Sequence, residues 1–197
     1  AVVLEARAAR NCGLCAQRSE ALSATSVDGE HETVTELAPG LVELAHRVVT
    51  DSGRLTQAWF DGVIASGVTR EQYVEAAGLI GSSTIADTFA MALTGEPAVL
   101  GAWENGEPSG VSNTALVDVG AYVGLMDHEH PHPKFAGRPV PNICRALAMV
   151  PSAINEFWDL FMPHYQPMET AEEGHEVGRS QIEFVAARTS ALNECYY

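Results

Sequence analysis

Ala1-Val2-Val3-Leu4-Glu5-Ala6-Arg7-Ala8-Ala9-Arg10-Asn11-Cys12-Gly13-Leu14-Cys15 opens the chain. Residues 1–10 are rich in helix formers and contain no Gly or Pro, so they predict a helix already under way at residue 1. Asn11 ends that helix or caps the next, and 12–24 predicts a second helix carrying both thiols. Cys12 and Cys15 stand at i and i+3, on one helix face and close enough for a disulfide. A thiol at a helix N-terminus meets exposed N–H groups and the positive end of the dipole, which lower its pKa. One sulfur can then attack an oxidant or a disulfide while the other resolves the intermediate. The competing uses of such a pair are half of a zinc site and plain packing. Zinc needs two more ligands, and no second Cys-x-x-Cys supplies them, so redox use leads.

Working outward, 25–36 is polar and acidic and reads as a surface connection. Leu41, Val42, Leu44, Ala45, Val48 and Val49 repeat at helical spacing and predict an amphipathic helix over 39–52. Leu55, Ala58, Trp59, Val63 and Ile64 predict another over 55–66. Thr69 and Gln72 form a capping box that opens the longest helix, 70–94, which Gly95-Glu96-Pro97 stops. Val74, Ala77, Ile80, Ile85, Phe89 and Met91 make that helix apolar nearly all round, as in a buried central helix or an oligomer face.

The texture then changes. Six of the ten prolines fall between Pro97 and Pro141, which reads as an irregular connection or arm over 97–138. Within it His128, His130 and His132 alternate, so an extended chain would point them one way as a possible metal site; the plain alternative is a solvated turn. Helices return over 142–149, 152–162 and 180–193. Cys144 sits among apolar neighbours as a core thiol. Ser180-Gln181-Ile182-Glu183 reads as a capping box, with Ile182, Val185, Ala186, Thr189 and Leu192 as an inner stripe. The fold class expected is all-α.

Composition bounds the function. The formal charge of −15, with only 11 Lys and Arg, argues against nucleic acid and anionic membrane surfaces as partners. No apolar run is read as a membrane span, and no basic-then-apolar leader opens the chain. Four cysteines with one Cys-x-x-Cys suit a reducing cytosol better than a secreted disulfide framework.

Placing Cys195 over Cys12 lays Phe184-Val185-Ala186-Ala187 over Ala1-Val2-Val3-Leu4, a weak internal repeat centred on the cysteine motif. Residues Arg179 to Tyr197 resemble the signature helix of the alkylhydroperoxidase D / carboxymuconolactone decarboxylase-like family. There a glutamate lies twelve residues before the first cysteine of Cys-x-x-Cys-x-x-x-His, the spacing of Glu183 and Cys195. The run Gly67 to Ala76 resembles a later helix of that family, and Pro141 to Leu147 resembles its opening helix. The resemblance implies a first helical repeat over 1–96, a linker over 97–138 and the start of a second repeat over 139–197. It also implies that the chain ends inside a motif, as a fragment or truncated chain would.

By that resemblance Cys15 is the peroxidatic thiol and Cys12 resolves it, while a glutamate and a histidine pass the proton. Here the histidine position holds Ser19, with Arg18 beside it, and the glutamate position falls before residue 1, so the first copy is expected to lack its base. The expected catalytic residues are Cys12, Cys15, Glu183 and Cys195, with no cofactor and no metal. The function implied is reduction of a hydroperoxide or disulfide, with a thiol reductant protein as partner and a homo-oligomeric state. The alternative is a degenerate member serving as a binding or oligomerisation module. Cofactorless decarboxylation is a third, disfavoured by the cysteine pair.

Overall fold

The computed structural model describes residues 1–101, 110–129, 133–135, 139–164 and 176–192. Every predicted helix is present among them: α1 (Val2–Ala9), α2 (Gly13–Glu20), α3 (Pro39–Thr50), α4 (Gln57–Ala65), α5 (Arg70–Thr94), α6 (Asn142–Leu147), α7 (Pro151–His164) and α8 (Arg179–Leu192). The described sheet is one antiparallel pair, β1 (Leu116–Val117) and β2 (Leu125–Met126), with Leu116 opposite Met126. The class is all-α. The chain divides into two compact units, 1–158 and 159–197.

In the first unit α3 is the central element, packed against α1, α2, α4 and α5. Pro39 opens it at the first turn, where the missing N–H costs nothing. Its stripe buries Leu44 and Ala45 against Ala6 of α1, Val63 of α4, and Ala76 and Ile80 of α5. Each large aliphatic chain buried this way contributes about 1.5–3 kcal/mol. α3 also buries His46 and Arg47. Gly40 lets α3 approach α4 and the turn after it: a Cβ there would lie 2.0 Å from Ser66 Oγ and 2.8 Å from Val68 Cγ2.

The Thr69–Gln72 capping box that opens α5 is formed, and Gly95 at φ 79° closes the helix in the left-handed conformation. Val74, Ala76, Gly78 and Ile80 are buried, while Met91 and Leu93 near the end are exposed. By length and composition α5 is also long and apolar enough to cross a membrane, which the sequence reading had not allowed for. Arg7 of α1 grips Asp87 of α5 with two hydrogen bonds (3.0 and 2.7 Å) and donates a third to the Ala98 carbonyl (2.6 Å).

The proline-rich segment is irregular, as expected, yet parts of it pack. Val123, Met126, Phe135 and Val140 are buried, and Tyr122 stacks on Phe60 at 5.1 Å. Arg145 of α6 donates to the Met126 carbonyl (2.5 Å), Asn142 Oδ1 (2.8 Å) and His128 Nε2 (2.8 Å). That guanidinium occupies Nε2 of His128; His130 and His132 lie outside the described residues. Cys144 is a buried core thiol, pushed up to about 11 by burial.

The second unit contains α8. Its start differs from the expected capping box: Ser180 lies inside the helix, and Gln181 reaches back to accept from the Gly178 N–H (2.8 Å). Glu183 instead pairs with Arg179, one turn earlier. Of the stripe expected to face inward, Val185 and Leu192 are exposed among the described residues. Cys195 lies outside them.

Two glycine substitutions should move stability in opposite directions. Gly40→Ala is expected to destabilise by roughly 1–3 kcal/mol through overpacking. Gly62→Ala, where a Cβ meets nothing within 4 Å, should stabilise by roughly 0.5–1 kcal/mol. Urea unfolding midpoints decide both.

Candidate active site

The site is assembled by Glu5, which α1 turns into the core at 0% exposure. One of its oxygens accepts from the Val34 N–H (3.0 Å), the Thr35 N–H (2.7 Å) and the Thr35 hydroxyl (2.7 Å). Those bonds fasten the acidic connection, read from sequence as a surface loop, back onto α1. The fastening brings His31 over the two thiols. The other Glu5 oxygen accepts from His46 Nε2 (3.1 Å), and His46 too is 0% exposed.

With Nε2 committed to a carboxylate, the His46 Nδ1 lone pair faces Cys15 Sγ at 3.3 Å and accepts from the thiol. His31 repeats the arrangement. Its Nε2 donates to Glu43 Oε2 (2.8 Å), and its Nδ1 lies 3.6 Å from Cys12 Sγ and 3.5 Å from Cys15 Sγ. The two rings are 4.2 Å apart. Glu43 is held further by Trp59 Nε1 (3.0 Å) and Arg18 Nη1 (3.0 Å). Cys12 and Cys15 are 2% and 3% exposed and pack with Leu14 and Val27.

The sulfurs differ electrostatically. Cys12 caps the N-terminus of α2. Burial opposes its ionisation, but the N–H groups of Cys15 and Glu32 and the His31 ring outweigh it and bring the thiol down to about 6. Burial pushes Cys15 up to about 11, assisted by the neighbouring Cys12 charge. His31 is raised: burial opposes its charge, and Glu43 and Cys12 overcome it. Glu43 is brought down to about 2, against burial, by His31, Trp59 and Arg18. Glu5 is lowered too, against burial, by Thr35, His46 and the Val34 N–H. The cluster therefore sets a Cys12 sulfur that ionises readily beside His31, and a Cys15 thiol that holds its proton beside His46 Nδ1.

A cleft of about 770 Å³ is lined by His31, Glu43, Trp59, Val42, Gly40 and Ser66, among others. The His31–Glu43 pair thus forms wall between the cleft and the thiols.

Comparison with family models, with curated proteins and with solved structures gives no match.

Of the expected site residues, Cys12 and Cys15 come together as the sequence implied. Glu183 stands on α8 in the second unit, and Cys195 falls outside the described residues. Ser19 is exposed, its hydroxyl turned to the Ala16 carbonyl (2.8 Å). The position of the family's histidine holds Ser19, as the sequence shows, but His46 reaches Cys15 from α3, thirty-one residues on, and a carboxylate lies seven residues before Cys12 as Glu5. Sequence reasoning missed Glu5, His31, Glu43 and His46. The available signal was a histidine inside the apolar stripe of α3, where nothing but a partnered ring is tolerated.

A thiolate absorbance step near pH 6 is expected in the reduced protein. Cys12→Ser should abolish it, and His31→Gln should move it upward, because the ring hydrogen bond that favours the thiolate is gone. An unchanged step in His31→Gln would mean that the ring does not face Cys12.

Proposed function

We propose that this chain is a thiol-dependent oxidoreductase that reduces hydroperoxides or disulfides through Cys12 and Cys15, in a helical bundle of the alkylhydroperoxidase D type. The observation that carries the reading is that both thiols face histidine nitrogens, His31 lying between the two sulfurs and His46 against Cys15, and that each histidine has its own carboxylate. A pair that merely fills space has no use for two such relays.

The chemistry follows from the asymmetry. The Cys12 thiolate attacks the terminal oxygen of the hydroperoxide, the O–O bond breaks, and His31 Nδ1 gives its proton to the leaving alkoxide. Cys12 is then a sulfenic acid. His46 takes the proton of Cys15, whose sulfur attacks that of Cys12; the disulfide forms and hydroxide leaves as water after protonation. Two electrons pass from the thiols to the peroxide, and an external dithiol returns them. This order, with Cys12 attacking and Cys15 resolving, reverses the one the family resemblance implies, because the preformed thiolate is Cys12. A reducing cytosol keeps the pair as thiols between turnovers. The exposed Met91 and Leu93 at the end of α5 support assembly of the chain as a homo-oligomer; a monomer by light scattering at micromolar concentration would remove that part.

The test is stopped-flow oxidation by an organic hydroperoxide, with thiols counted. Two thiols should be lost for each peroxide consumed. His31→Gln should slow sulfenic acid formation, and His46→Gln should leave that step but slow disulfide closure, each by roughly 10²–10⁴-fold. Ser19→His should change neither rate, since Ser19 faces away from the sulfurs. Thiols indifferent to both peroxide and disulfide would favour the binding-module alternative.

A further inference from the structure

We propose that Cys12, Cys15, His31 and His46 form a closed tetrahedral zinc site, and that the zinc-bound dithiolate and the disulfide are alternative states of this one cluster. The zinc half stands on geometry alone; the alternation rests on the redox reading above. One donor atom from each residue, two Sγ and two Nδ1, lies within 4.8 Å of the other three. A tetrahedral zinc ion with Zn–S near 2.3 Å and Zn–N near 2.0–2.1 Å places sulfur and nitrogen about 3.5 Å apart. The measured separations of 3.6, 3.5 and 3.3 Å surround that value before any ion is placed.

The surroundings argue the same way. Zinc-bound histidines usually present their second nitrogen to a carboxylate, which fixes the tautomer and aims the lone pair at the metal. Both histidines here do so, His46 to Glu5 and His31 to Glu43, and both carboxylates are held by further donors. Two thiolates and two imidazoles select zinc over oxygen-seeking calcium or magnesium. All four positions are filled by protein, so the ion has no open site for hydrolysis and acts as a lock on the thiols.

On loading, zinc(II) displaces the protons that the thiols and the Nδ1 atoms carry, leaving the dithiolate complex with two neutral rings. Oxidation by a hydroperoxide and two protons gives the Cys12–Cys15 disulfide, an alcohol, water and free zinc(II). A disulfide cannot supply two thiolate ligands, so the two states exclude each other.

The test is anaerobic titration of the reduced full chain with cobalt(II) as the spectroscopic probe, then displacement by zinc(II). One equivalent should give intense tetrahedral bands with thiolate-to-cobalt charge transfer. Cys15→Ser and His46→Ala should each weaken binding by more than 100-fold, and Glu43→Gln by roughly 10–100-fold through loss of ring orientation. Ser19→His should bind as the wild type does. Cysteine-to-serine exchange is nearly isosteric, so it reports even if His46→Ala fails to fold. Weak octahedral bands, or binding that survives Cys15→Ser, would overturn the site. Hydroperoxide added to the zinc-loaded chain should release one zinc to a chromogenic chelator as two thiols disappear. Zinc retained against peroxide by a chain that binds it overturns the redox alternation and leaves the site. Peroxide-reactive thiols in a chain that binds neither metal overturn the site and leave the redox reading.

Discussion

The arrangement depends on one buried contact, the Glu5 carboxylate against His46. A carboxylate withdrawn wholly from water costs several kcal/mol unless its lone pairs are filled. Glu5 meets that demand with two backbone N–H groups, a hydroxyl and a ring nitrogen drawn from two distant stretches of chain. The same bonds join α1, α3 and the connection between α2 and α3. Because the turn from α1 into α2 is only a few residues long and hydrogen-bonded at Asn11 and Cys12, orienting α1 also orients the thiols. One side chain therefore positions both the base that faces Cys15 and the loop that carries His31.

The second constraint is that two sulfurs share one small dry space. Like charges that close cannot both be stable, so ionising one raises the other. The N-terminal end of α2 and His31 settle which: these favour the charge on Cys12, while burial keeps the proton on Cys15 beside His46. The asymmetry comes from where α2 begins, one residue after Cys12, and requires no difference between the thiols themselves.

The helices were legible in the sequence because each carries a local signal: periodicity in α3, a capping box opening α5, Gly95 ending it. The Cys12/Cys15 pair was legible for the same reason, being four consecutive positions of one helix start. The partners were not. Glu5, His31, Glu43 and His46 are scattered over forty-two residues, and only the packing of α1 on α3 brings them together. His31 was hidden twice, since its acidic setting reads as solvated surface and its burial depends on Glu5. At α8 a local rule misled: Ser180 and Glu183 match a capping box, but the helix already starts at Arg179, and the side-chain bond at its start runs from the Gly178 N–H to Gln181.

The two carboxylate–histidine arms suit proton transfer and zinc equally well because both uses demand the same thing of a ring. Nε2–H must be held by an acceptor so that Nδ1 presents its lone pair to the sulfurs. With zinc, two thiolates and two neutral rings would cancel the divalent ion, so the apolar neighbours Leu14 and Val27 would meet no uncompensated charge. Side chains that aim ring nitrogens at a sulfur pair across about 3.5 Å serve either role without rearranging the core.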